Sequence, residues 1–130
     1  MIRGTTAQFK FKLPYTKDEL EWVTIKFWQP GNQSSLLPIT KRLEHCDSQD
    51  GSKELNVSLT SEETSRFLDK YKARVQLRAR LIENGTVFGS RTTIVPVYPM
   101  RDDIIEENPE LPVPDAEGWV VLDGGIIPTE

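Results

Sequence analysis

A chain of 130 residues and 14.8 kDa, 37% hydrophobic and 28% charged, has the composition of one ordinary globular domain. Such a domain buries roughly two-thirds of the surface its unfolded form exposes, which excludes a wholly disordered or a membrane-embedded class. One cysteine, Cys46, and one histidine, His45, exclude an internal disulfide and leave any metal site to be built mainly from carboxylates. The formal net charge of −4 is unevenly placed: residues 1–100 carry 15 Lys+Arg against 11 Asp+Glu, whereas 101–130 carry one Arg against nine acids.

No apolar run approaches a membrane span, and the opening Met1-Ile2-Arg3-Gly4-Thr5-Thr6 lacks the apolar segment of a secretory signal. A soluble protein made in the cytoplasm is therefore expected.

In chain order, strict alternation comes first. Phe9, Phe11 and Leu13 alternate with Lys10 and Lys12 until Pro14, which predicts a strand. From Leu20 to Gln29, Val23, Ile25 and Phe27 fall on one face and Trp22, Thr24, Lys26 and Trp28 on the other; Pro30-Gly31-Asn32 ends this strand. A weaker segment runs from Leu37 to Glu44, then a loop over Asp47 to Ser52, then Glu54 to Leu59 with Leu55, Val57 and Leu59 alternating.

Thr60-Ser61-Glu62-Glu63 is a capping-box pattern, in which the Thr60 hydroxyl and the Glu63 carboxylate satisfy each other's free backbone N–H groups. It predicts a helix from Ser61 to Lys70, with Phe67 and Leu68 packing on the sandwich edge. Val75, Leu77, Ala79 and Leu81 then alternate with Arg74, Gln76, Arg78 and Arg80 before Asn84-Gly85, a pair suited to a type I′ hairpin turn. The return strand spans Thr86 to Val97, with Pro96 and Pro99 marking its exit from the sheet.

Arg101 onward is acidic and Pro-bearing and cannot form a core alone. It leads to an apolar tip, Trp119-Val120-Val121-Leu122, followed by Ile126-Ile127. The domain organisation expected is a β-sandwich over 1–100 and an arm over 101–130.

Candidate chemistry is sparse. Gly124-Gly125 lacks the lysine and helix of a phosphate loop. Asp102-Asp103 and Glu106-Glu107 could gather a hard cation, but adjacent carboxylates on extended chain point apart, so a solvated acidic linker is the reading taken. His45-Cys46-Asp47 suggests a nucleophile, yet neighbours in an extended backbone turn away from one another, and an edge strand entering a loop accounts for them. No catalytic, metal or cofactor residue is assigned, and an enzyme is not expected.

The row Arg74, Arg78 and Arg80 reads either as a phosphate-binding stripe with Trp22 and Trp28 as stacking platforms, or as the polar outward face of a half-buried strand. The second reading is preferred, and nucleic-acid binding is disfavoured. Trp22 and Trp28 are six residues apart, roughly 20 Å along one strand. They are interface anchors if the apolar face is that of Val23, and core residues if the faces are inverted. For Trp119, insertion into a neighbouring molecule is favoured over folding back on its own sandwich.

The segment Ile2-Arg3-Gly4-Thr5-Thr6, followed by Phe9, Phe11, Leu13 and Pro14, resembles the start of small proteins from tail gene modules of phages and prophages of Gram-positive bacteria. Leu59-Thr60, Glu63-Thr64 and Phe67, then Val75-Gln76-Leu77-Arg78, Gly85, Ile94 and Val97, are similar to that group's later elements. The likeness covers about residues 2–98. These proteins in turn resemble the N-terminal domain of the siphophage baseplate upper protein, a β-sandwich that attaches receptor-binding parts to the tail. The resemblance implies a virion structural protein, and no catalytic residue.

The expectation is an all-β, Ig-like antiparallel sandwich of about seven strands with one short helix and an extended C-terminal arm. Its expected role is non-enzymatic tail or baseplate assembly, with copies of itself and other virion proteins as partners. The interface would use Trp119, Val120, Val121, Leu122, Ile126, Ile127, Trp22 and Trp28. Alternatives are a capsid decoration protein and a carbohydrate-binding module using Trp22, Trp28 or Tyr98 on host polysaccharide.

Overall fold

Two β-sheets face one another across a shared apolar core in the computed structural model, which describes residues 1–69, 71–99 and 119–123, the last group as backbone together with the Leu122 side chain. The smaller sheet has the order β4-β1-β8, from β4 (Glu54–Leu59), β1 (Ala7–Lys12) and β8 (Trp119–Asp123). The larger has the order β3-β2-β5-β6, from β3 (Ile39–Arg42), β2 (Leu20–Trp28), β5 (Ala73–Leu81) and β6 (Val87–Gly89), and β7 (Thr93–Val95) also pairs with β5. All pairings are antiparallel except β1 with β8. The mostly antiparallel, all-β, two-layer architecture with one short helix is the one the alternation predicts.

The reason is period-two burial. Phe9 and Phe11 of β1, Leu55, Val57 and Leu59 of β4, Val23, Ile25 and Phe27 of β2, and Val75, Leu77 and Ala79 of β5 are all buried. Phe9 and Phe27 meet across the layers with ring centroids 5.1 Å apart, the separation at which tilted aromatic pairs are favourable. A one-residue slip of β2 on β5 would exchange Ile25 for Thr24 in this core, so the register is tightly specified.

Four expectations are corrected. The helix α1 covers Ser61–Thr64 and not Ser61 to Lys70. Its capping box forms as expected, with Glu63 N–H donating to Thr60 Oγ1 (3.1 Å) and Thr60 N–H to Glu63 Oε1 (2.9 Å). The next turn tightens, because Arg66 and Phe67 N–H groups bond three residues back, to Glu63 and Thr64 carbonyls. Leu68 N–H is then captured by Gln29 Oε1 at 2.8 Å. Phe67 fills the core as expected, whereas Leu68 is exposed.

The turn at Asn84-Gly85 is not type I′, which requires positive φ at both central residues. Only Gly85 has positive φ, +69°. Leu81 and Thr86 close a four-residue loop, and Gly85 N–H donates to the Leu81 carbonyl. A single left-handed glycine suffices for this longer connection.

The return strand is broken into β6 and β7, both on the same edge of β5. Between them, Ser90 supplies a hydroxyl that accepts from Leu77 N–H (2.9 Å), while Ser90 N–H donates to the Leu77 carbonyl. Gly89 is required beside it: a Cβ there would lie 2.8 Å from the Leu77 carbonyl oxygen.

The fourth correction concerns the C-terminal tip. It does not leave its own molecule: β8 lies parallel to β1, with Leu122 opposite Phe11 and buried in the same core. The edge of β1 not covered by β4 offers unpaired N–H and C=O groups, and adding a strand there satisfies them while Leu122 leaves water. The sandwich is thus not complete at residue 100, since β8 is one of its strands.

Candidate interaction face

The outward side of the larger sheet is built by register. On β2, Trp22, Thr24, Lys26 and Trp28 alternate with buried Val23, Ile25 and Phe27. Opposite them on β5 stand Arg80, Arg78, Gln76 and Arg74 respectively. On the far side of β2, Arg42 and Thr40 of β3 face Thr24 and Lys26. Beyond β5, Val87 lies opposite Arg80 and Ile94 opposite Arg74.

Each end of this face therefore repeats one combination: a tryptophan, an arginine and an exposed aliphatic residue. Trp22 is 36% exposed, Val87 43% and Ile94 45%; Trp28 is half-buried. Between the ends lie Lys26, Arg42 and Arg78, and Thr24, Lys26, Gln76 and Arg78 line a shallow depression. Beside Trp22 an open groove is lined by Lys17, Glu21, Arg42, Leu43 and Glu44.

Five cations occupy the face, and among the described residues Arg80 Nε pairs with Glu21 Oε2 at 3.0 Å. Both partners are about half exposed, so solvent screening leaves it worth little. Arg74 Nε is buried and lacks a hydrogen-bond acceptor among the described residues. In a sheet that is dry on one side, this concentration of Trp and Arg is the residue mixture that dominates binding energy at protein interfaces.

The sequence thus assigned the sides of β2 correctly, and Trp22 and Trp28 are outward, at opposite ends of the strand. It did not place Arg42, because β3 is only four residues long and carries no clear alternation. Of the remaining interface candidates, Trp119, Val120 and Val121 have their backbone in β8, Leu122 is in the core of its own chain, and Ile126 and Ile127 lie outside the described residues. Tyr98 is not on the face: it bridges to Ile2.

His45, Cys46 and Asp47 are each engaged structurally. His45 Nδ1 accepts from Arg42 N–H at 3.0 Å. Cys46 is buried, its thiol donates to the Arg42 carbonyl at 3.3 Å, and burial pushes its pKa up to about 11. Asp47 pairs through its backbone with Asn56. A thiol held protonated is a poor nucleophile. The described residues contain no group of three or more His, Cys, Asp or Glu side chains placed to hold a metal, and Asp102, Asp103, Glu106, Glu107 and Gly124-Gly125 lie outside them. No helix among the described residues is long and apolar enough to cross a membrane.

Sequence reasoning missed one buried polar residue that shapes the face. Gln29, 3% exposed, donates from Nε2 to the Leu68 and Tyr71 carbonyls (2.5 and 2.7 Å) and accepts at Oε1 from Leu68 N–H and Asn32 Nδ2 (both 2.8 Å). It locks the residue after Trp28 to the segment leading into Arg74. A lone Gln at a strand end carries no sequence signal for such a role. Compared with models of known protein families and with curated proteins, the chain matches none.

Proposed function

We propose that this protein is a non-enzymatic structural component of a phage virion, a docking module of the tail or baseplate, and that it engages its partners through the outward face of the larger sheet. The observation that carries the docking reading is that face: two tryptophans in register with Arg80 and Arg74 on a regular, solvent-facing sheet. Anchors of this type each contribute about 2 kcal/mol or more once desolvated, and repetition around a symmetric particle multiplies weak contacts. The virion assignment is supported by the likeness of residues 2–98 to tail-module proteins.

The test is particle incorporation of a Trp22→Ala, Trp28→Ala double variant, with circular dichroism to check folding. The variant is expected to fold and to be lost from particles, and labelled wild-type protein to appear on tails. Undiminished incorporation would remove the face from assembly, and label on heads would replace the tail assignment with capsid decoration.

A further inference from the structure

Asn84-Gly85 brings together, at the end of the β5–β6 connection, a carboxamide and an unshielded backbone nitrogen. Asparagine is a thermolabile side chain, because its carboxamide carbon is open to attack by the backbone nitrogen of the next residue. The approach to that nitrogen sets the rate. Asn32 precedes Gln33, Asn56 precedes the β-branched Val57, and Asn108 precedes Pro109, which has no N–H. Of the four asparagines only Asn84 precedes a glycine, so no Cβ crowds the attacking atom. Asn84 is also exposed to water.

The folded turn engages both reacting groups. Gly85 N–H donates to the Leu81 carbonyl (3.1 Å), which occupies the proton the nitrogen must lose. Asn84 Oδ1 accepts from Thr86 N–H (3.0 Å), which fixes the orientation of the carboxamide. Leu81 N–H donates to the Thr86 carbonyl (2.9 Å) and closes the loop around them. Ile82, Glu83 and Asn84 are all exposed, and a solvated hairpin end of this kind opens locally at much lower cost than the core strands behind it.

We propose that Asn84 is a site of spontaneous deamidation, gated by local opening of the turn between Leu81 and Thr86. In the opened turn the Gly85 nitrogen gives its proton to solvent hydroxide and forms a bond to Asn84 Cγ. The carboxamide nitrogen takes up a proton and leaves as ammonia. Water then adds to either carbonyl of the cyclic imide, giving aspartate at 84 or an isoaspartate whose main chain runs through the side-chain carbon. Water is the co-reactant, and no oxidation or reduction is involved. Either product carries a carboxylate where a neutral amide stood. Arg80 Nη2 lies 2.8 Å from the place a Cβ on the adjoining Gly85 would take, so the new charge arises at the Trp22 end of the outward face.

The full-length protein is kept in warm, mildly alkaline buffer, and peptide mass mapping follows acid formation at each asparagine, with a urea-unfolded sample as the opened reference. Conversion is expected at Asn84 ahead of Asn32 and Asn56. It should be at least about tenfold slower in the folded protein than in the unfolded one, because opening gives up the Gly85 and Thr86 hydrogen bonds. A local opening exposes little surface, so urea below the unfolding transition should change the folded rate by less than about twofold. Asn84→Asp supplies the reference position of the acidic band in isoelectric focusing, and Asn84→Gln, whose longer side chain closes the ring far more slowly, should not develop that band.

No acid at residue 84 of the folded protein over several weeks, or an acidic band that still develops in Asn84→Gln, overturns the site. Equal rates in folded and unfolded samples, or a folded rate that climbs with urea in step with global unfolding, overturns the gating by the turn.

Discussion

Replacing Gln29 by leucine is expected to destabilise the protein by about 2–4 kcal/mol. The substitution keeps approximate volume and removes the amide. Four hydrogen bonds go with it, to the Leu68 and Tyr71 carbonyls, the Leu68 N–H and Asn32 Nδ2. At about 1 kcal/mol net each the loss is about 4 kcal/mol. The estimate is lowered toward 2 because Leu68 and Tyr71 are 38% and 41% exposed, so that water can reach some of the freed groups. Asn32 Nδ2 also keeps its bond to the Arg66 carbonyl. Urea unfolding followed by tryptophan fluorescence measures the effect. Gln29→Glu should be worse at neutral pH, since a carboxylate oxygen would then face two carbonyl oxygens. A loss under about 0.5 kcal/mol for Gln29→Leu, with an unchanged urea dependence, would refute the claim that this side chain fastens β2 to the segment after α1.

Gly89→Ala should cost about 1–3 kcal/mol in the same assay, because its Cβ meets the Leu77 carbonyl oxygen at 2.8 Å and one partner must shift; a neutral result would contradict the close approach of β6 to β5. Leu122→Ala should cost about 2–4 kcal/mol by cavity formation, with a melting shift independent of protein concentration; a concentration-dependent shift would place β8 on another molecule. At Glu63, burial alone would raise the carboxyl pKa, but the hydrogen bond from Lys41 Nζ at 2.8 Å and the Thr60 N–H outweigh it and hold it below 4.5. The stability it supplies is therefore full above pH 4.5 and lost as pH falls through the lowered value. Glu63→Gln keeps a side chain able to cap, so it should lose about 0.5–1 kcal/mol at pH 7, and the gap from wild type should shrink on acidification; a gap constant from pH 7 to pH 3 would refute the assignment.

Alternation by itself determined the all-β class, the strands β1, β2, β4 and β5, and which side of each is dry, because a side-chain period of two allows only one apolar face to be buried. The capping box at Thr60 was equally legible, being a local exchange of hydrogen bonds. Length was not: α1 stops at Thr64, the Arg66 and Phe67 N–H groups turn to carbonyls three residues back, and Gln29, 39 residues from Leu68, then takes the Leu68 N–H. The break between β6 and β7 likewise depends on the Leu77 carbonyl meeting Gly89 and Ser90 across the sheet. The tip at Trp119–Asp123 is the sharpest case. Its apolar character announced that it needs cover, but hydrophobicity has no address. Only the tertiary arrangement, which leaves one edge of β1 unpaired beside Phe11, decided that the cover is its own core. The basic face was split in the same way: Trp22, Trp28 and the arginines of β5 are visible in the sequence, whereas their alignment with each other and with Arg42 is a matter of strand order and register, set by long-range pairing.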